Sequence, residues 1–248
     1  MLHKLYTWID YGLYLIKSNS LHGTHSPFVY QWAEKVLYDK KRLPNHRVEL
    51  ARSWALKSSN SPSGSIVSLN NWVQKHEPVA KYGQLLQRHI LQFKPERLVV
   101  YGAGAGIFPA YALELPTDVQ PCVHAYLESP AWLPYLEKTM ELVGSASESW
   151  IVHQQLDDGF EWRGLDLVLI DALWLVEQDQ TQWFERWDSM EQPAHSVWIY
   201  NVQANEKTRN WSRWMQHKGH YNISVDLFWS LCLFSRPEQS AEAFILRY

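Results

Sequence analysis

The sequence predicts an α/β protein in which a mostly parallel sheet is covered by helices and preceded by a helical extension. Three observations carry that prediction. Short apolar, β-branched runs alternate with helix-compatible segments from Lys81 onward, the first run breaks into three alternating glycines, and the last two runs stand too close together for a helix between them. Strands that alternate with helical segments form a parallel sheet. The close final pair must be antiparallel, because a parallel connection needs a crossover of a dozen residues or more.

Taken in order, residues 1–57 read as helical, with Leu5, Ile9, Leu13 and Ile16 at helix spacing. A turn over 19–28 starts a second helix from Pro27 to about Tyr38, with Ser26 able to cap it and Pro27 at its first position. Residues 58–65, Ser-Ser-Asn-Ser-Pro-Ser-Gly-Ser, are the one low-complexity stretch and mark a linker. These features divide the chain into a helical extension with linker over 1–80 and a sheet domain over 81–248. Strands are expected at 97–101, 122–127, 150–153, 165–170, 197–200, 223–228 and 230–235, and helices at 109–115, 130–143, 173–190 and 204–217. The expected sheet is seven-stranded, with an antiparallel last strand.

Composition removes several classes of function. The 248 residues carry a formal charge of -3 with both signs mixed along the chain, so no basic stripe signals a nucleic acid or an anionic membrane. Cys122 and Cys232 lie in apolar strand-like runs and read as buried thiols in a reducing compartment. The apolar segment Leu2 to Ile16 is interrupted by Lys4 and Asp10, has no small-residue cleavage site and is too short to span a bilayer. A cytoplasmic protein is the expectation. Of the fourteen tryptophans, Trp183 and Trp187 are i,i+4 and Trp211 and Trp214 are i,i+3, spacings that place each pair on one helix face, packed into a core.

The run Leu98-Val99-Val100-Tyr101-Gly102-Ala103-Gly104-Ala105-Gly106 is the strongest pointer to function. A strand ending in glycines lets backbone N–H groups approach a ligand that side chains would block. The dinucleotide fingerprint G-x-G-x-x-G fails, because its third glycine falls on Ile107, or on Pro109 when read from Gly104. A nicotinamide oxidoreductase is thereby disfavoured. G-x-G-x-G is the form found in S-adenosylmethionine (SAM) methyltransferases, and a glycine turn without a ligand is the alternative. Glu128 closes the second strand 22 residues after Gly106, where a carboxylate suits ribose hydroxyls. Gln155, in the run 154–158, is placed to read an adenine amino group or simply to form a polar turn.

Asp171 ends the fourth strand at the same carboxyl edge, where open α/β sheets bind ligands, and is expected there to orient substrate, hold a divalent cation or cap the following helix. Asn201 ends the fifth. The two together offer too few oxygens for a hard cation, so no metal is assigned. His22 and His25 suit general-base work by their neutral titration range, and a helix-start turn explains them equally well.

Over nearly its whole length the chain resembles the SAM-dependent class I methyltransferases common in Bacteroidetes, on the motif His22-Gly23-Thr24-His25-Ser26-Pro27-Phe28, the run Lys81-Tyr82-Gly83-Gln84-Leu85-Leu86, the glycine loop, Val225-Asp226-Leu227-Phe228 and the tail 234–239 and 244–247. The resemblance implies a Rossmann-like class I methyltransferase fold with an N-terminal helical extension, SAM as cofactor at Gly102, Gly104, Gly106 and Glu128, and an unidentified methyl acceptor. The chain departs from the family pattern where Val100 replaces an acidic residue and Asp171-Ala172-Leu173-Trp174 replaces Asp-Gly-Asn-His. It departs again where Tyr200-Asn201 replaces paired aspartates and Leu69-Asn70-Asn71-Trp72 replaces a D-x-G-A-G-S-like motif. Two functions follow as expectations: an active methyltransferase with Asp171 or His25 as base, or a degenerate member that acts as a cofactor-binding or protein-interaction module.

Overall fold

The computed structural model describes residues 2–20, 23–59, 61–62, 68–127, 129–144, 149–153, 166–178, 185, 194–217 and 220–248. Before the sheet stand α1 (Leu2–Lys17), α2 (Pro27–Trp32), α3 (His46–Lys57), α4 (Leu69–His76) and α5 (Ala80–Phe93). The sheet region follows as β1 (Arg97–Tyr101), α6 (Ile107–Ala110), β2 (Cys122–Tyr126), α7 (Leu133–Val143), β3 (Trp150–His153), β4 (Leu167–Asp171) and α8 (Ala172–Leu175). It closes with β5 (Ser196–Tyr200), α9 (Glu206–His217), β6 (Ile223–Asp226), β7 (Ser230–Phe234) and β8 (Glu242–Ile245).

The described strands form one eight-stranded sheet in the order β3-β2-β1-β4-β5-β7-β6-β8. Only β7 runs against its neighbours, β5 and β6. The seven expected strands are present. The eighth is an addition to the expectation: β8 pairs parallel to β6, and Leu246 continues it into a bridge with Asn19. The antiparallel β7, the last of the seven expected strands in sequence, lies inside the sheet between β5 and β6.

β1 is flanked by β2 on one side and β4 on the other, so the chain crosses the sheet in opposite directions from this strand. That reversal opens a crevice at the carboxyl ends, where Tyr101 pairs with Tyr126 and Ile170, and Asp171 with Tyr200. β4 and β5 are buried throughout, as parallel strands covered on both faces must be. Alternate residues feed two cores. Val99, Tyr101, Val168, Ile170, Val197 and Ile199 face Trp174, Trp211 and Met215, while Leu98, Val100, Leu169 and Trp198 face the helices of the N-terminal half.

The extension is built onto this sheet. Ser26 caps α2, its hydroxyl accepting from the Val29 amide at 3.5 Å, and Pro27 takes the first position, as expected. In α1 the expected apolar stripe lies outward: Ile9, Leu13 and Ile16 are exposed, while Tyr14 is buried and donates to the Leu246 carbonyl. Two further expectations need correction. Cys232 is buried, but Cys122 is only half-buried because it opens its strand. The helix expected over 109–115 starts earlier, at Ile107, and tightens into a 3-10 turn over Tyr111–Glu114. Trp183 and Trp187 lie outside the described residues; Trp211 is buried against Trp214, ring centres 5.5 Å apart. Among the described residues, no helix is long and apolar enough to cross a membrane.

Candidate functional site

The loop after β1 is held in left-handed conformation at Gly102 (φ 77°), Gly104 (φ 49°) and Gly106 (φ 72°), which only glycine adopts at little cost. Its approach to other groups is as demanding as its dihedrals. A Cβ on Gly104 would fall 1.9 Å from the Trp72 ring, and one on Gly102 2.7 Å from the Trp174 Cβ. The loop thus receives flat groups at backbone contact, and the chain's own indoles lie there.

Trp72 reaches the loop because α4 presents Leu69, Trp72, Val73 and His76 on one face, the i, i+3, i+4, i+7 pattern. The Trp72 ring stacks on His76 (4.7 Å, 5°) and leans on Trp132 (4.5 Å). His76 Nδ1 lies 2.6 Å from Asp171 Oδ2. The other Asp171 oxygen accepts from the Leu173 amide and from Asn201 Nδ2, both at 2.9 Å. Asn201, itself left-handed at φ 61°, also donates to the His76 carbonyl at 2.8 Å. Asp171 is fully buried, and these contacts latch α4 to the carboxyl edge.

Glu77, the next residue after α4, is buried under the same loop. Its Oε1 accepts from the Ile107 amide at 3.2 Å, and its Oε2 has no hydrogen-bond partner among the described residues. Burial pushes its carboxyl up to about 7, the nearby Asp171 charge adds to the rise, and Arg52 with the Ile107 and Phe108 amides pulls it back. Arg52 is fixed by its own bond to the Pro78 carbonyl at 2.8 Å.

Beside this latch lies a cavity of about 310 Å³, whose walls include Glu77, Tyr82, Tyr200, Asn201, Trp229 and Ser230, with Lys75 also contributing. The Tyr200 hydroxyl ties it to the glycine loop by donating to the Gly102 carbonyl at 3.4 Å. Ser230 Oγ is buried with no hydrogen-bond partner among the described residues.

Of the residues picked out in sequence, Gly102, Gly104, Gly106, Asp171 and Asn201 come together here. Glu128, Gln155 and His22 lie outside the described residues. His25 lies apart from the residues that come together. It is exposed on the turn before α2, and the neighbouring Phe28 packs on Phe234 (5.1 Å) under the Arg236 guanidinium (4.0 Å). Phe234 pairs with Ser196 at the amino end of β5, the edge opposite Asp171. Within that motif Ser26 and Pro27 start α2, and Phe28 anchors it. Trp72, His76 and Glu77 were missed, although the departure at Leu69–Trp72 marked the segment. Among the described residues, no group of three or more His, Cys, Asp or Glu is arranged to hold a metal ion.

No family model matches the sequence, and no curated protein matches it either. Solved structures do resemble the fold. An SAH-bound methyltransferase of Podospora anserina superposes with a TM-score of 0.57 at 10% identity, covering 86% of this chain and 97% of that one. A SAM complex of an O-methyltransferase of tomaymycin synthesis from Streptomyces achromogenes gives 0.51 at 13% identity, over 83% and 98%. A candidate O-methyltransferase from Klebsiella pneumoniae gives 0.51 at 14%, over 83% and 98%. With its strand order, switch point and interior antiparallel strand, the chain has the Rossmann-like class I methyltransferase fold.

Proposed function

We propose that this protein is a SAM-dependent methyltransferase acting on a small acceptor. The observation that carries the reading is the loop Gly102–Gly106. Three left-handed glycines stand at the switch point of a fold whose neighbours in Podospora anserina and Streptomyces achromogenes hold SAH and SAM. The loop fits such a ligand at backbone contact, on the condition that Trp72 turns away from Gly104, since the indole lies in that space. Gly102, Gly104 and Gly106 would then carry the cofactor, with Glu128 on its ribose and Gln155 on its adenine, as the sequence suggests.

When bound, SAM supplies an electrophilic methyl group on a sulfonium. Transfer from a sulfonium proceeds largely through proximity and alignment, so the chain's task is to hold the acceptor and to accept its proton. Asp171 is assigned a positioning role: both its oxygens are engaged by Leu173, Asn201 and His76. The test is calorimetric titration with SAM and with SAH. Binding of both at one site per chain, at micromolar affinity or about -8 kcal/mol, is expected. No binding at millimolar ligand by folded wild-type protein and by Trp72→Ala would overturn the proposal and leave the degenerate interaction module.

A further inference from the structure

We propose that a recess between α9 and the ends of β5 and β6 is an anion site, and that its ligand is hydrogen phosphate, an oxyanion that keeps a hydroxyl group. The site stands apart from the glycine loop and does not depend on methyl transfer.

The recess holds about 100 Å³, and its walls include Gln203, Arg209, Ser212, Arg213, Gln216 and Asp226. A space of this size takes several waters, and so a tetrahedral anion, but falls short of what a nucleoside fills. Val202 and Leu231, which also line it, belong to the core under α9. Tyr200, on the wall of the cavity beside Asn201, belongs to the core of the N-terminal half. The end of the sheet therefore separates the two spaces.

Charge argues for an anion. Arg209 and Arg213 stand one turn apart on α9, a like-charged spacing that costs a helix stability. Among the described residues neither lies within ion-pair distance of a carboxylate, although Glu206 stands three residues before Arg209. Two guanidiniums on one recess, with no ion-pair partner of their own, suit an oxyanion, which their planar forks hold in fixed geometry. Asp226, the last residue of β6, supplies the selectivity. Its Oδ1 accepts from the Phe228 amide at 2.7 Å, and its Oδ2 has no hydrogen-bond partner among the described residues. An ionised carboxylate repels an oxyanion made only of acceptors, such as sulfate, and accepts a hydrogen bond from one that retains a hydroxyl. Two other polar groups of the wall are engaged already. The Ser212 hydroxyl donates to the Thr208 carbonyl at 2.8 Å, and Gln216 Nε2 donates to Ser224 Oγ at 2.9 Å. Arg209, Arg213 and Gln203 remain as donors and Asp226 as acceptor, which is the complement of the bare oxygens and the hydroxyl of hydrogen phosphate.

The test titrates the whole chain by calorimetry, at pH 8 and constant ionic strength, with inorganic phosphate, sulfate and glycerol 3-phosphate. All three are then mainly dianions, and only inorganic phosphate keeps a hydroxyl on its tetrahedral group. Phosphate should bind at one site with Kd below about 1 mM, roughly tenfold or more tighter than either of the others. Arg209→Gln and Arg213→Gln should each weaken it by roughly tenfold, while Lys207→Gln, exposed on the same helix and outside the recess, should leave it unchanged. Asp226→Asn keeps an acceptor for the Phe228 amide and puts an N–H2 group in place of the second oxygen. Sulfate should then bind tighter than it does to wild type, and the preference for phosphate should vanish. No binding, equal affinity for phosphate and sulfate, an equal loss in Lys207→Gln, or a preference that survives Asp226→Asn would each overturn the proposal. Glycerol 3-phosphate binding as tightly as phosphate would overturn it too, by assigning the recess to the phosphoryl group of a larger ligand. The wild-type comparison decides the matter even if Asp226→Asn fails to fold.

Discussion

Two neighbouring places at the carboxyl edge of the sheet are finished in opposite ways. Over Gly102–Gly106 the chain fills its own crevice, with Trp72 on Gly104, Trp174 on Gly102 and Leu136 2.6 Å from a Cβ on Gly106. Beside Asn201 it leaves a cavity of about 310 Å³. The difference teaches that glycines in such a loop record close approach, and that the approaching group need not be a ligand. Near the glycine loop, the space this conformation leaves for another molecule is the cavity beside Asn201.

The contrast breaks most sharply at Gly104. Gly104→Val adds a branched side chain at positive φ where Trp72 already touches the backbone, so a loss of about 3 kcal/mol or more and a fall in Tm of roughly 6–12 °C are expected by calorimetry. A similar effect of acid and base separates Glu77 from its surroundings. Its folded pKa, about 7, is raised above the unfolded value, so the folded state holds the proton more tightly. Stability is then full below the unfolded pKa and declines as pH rises to about 7, by an amount on the order of 3 kcal/mol. Arg52 from α3 and Asp171 from β4 face this carboxyl, with Lys75 and His76 just before it in the chain. Glu77→Gln should flatten that slope in urea unfolding at pH 5 and pH 8, and a slope retained in the variant would assign it elsewhere.

Much of the sheet was legible because β-branched runs buried on both faces look alike wherever they occur, and the glycine loop fell where β1 ends. The exceptions have local causes. β8 is only four residues, Glu242-Ala243-Phe244-Ile245, too short to show an alternation, and is a strand only by its pairing with β6. The outward Ile9, Leu13 and Ile16 carry the same period as a buried stripe, and periodicity cannot say which face a neighbour will cover. The site was half legible. Asp171 and Asn201 were placed by their strand ends, but the contact of Trp72 with Gly104 joins residues 32 apart in sequence and depends on the rotation of α4. The departures from the family pattern were visible one by one. What the structure adds is that Trp72, Trp174, Tyr200 and Asn201 all converge on the glycine loop and Asp171.

Smaller effects sharpen the latch. Asn201→Ala removes the donors to Asp171 and to the His76 carbonyl and leaves a left-handed alanine, for an expected loss of about 1–3 kcal/mol in urea unfolding. His25→Ala, at the opposite edge, should change stability by no more than about 0.5 kcal/mol and SAH affinity by less than about twofold. A large effect there would place the His22–Phe28 motif back in the site.

The central claim is that Trp72 occupies the space over Gly104 that the cofactor needs. The most direct measurement is the SAH affinity of Trp72→Ala against wild type under one set of conditions. The account predicts binding at least tenfold tighter in the variant, about 1.4 kcal/mol, from a protein that is itself less stable by about 3 kcal/mol. Equal or weaker binding by a folded Trp72→Ala protein would contradict it.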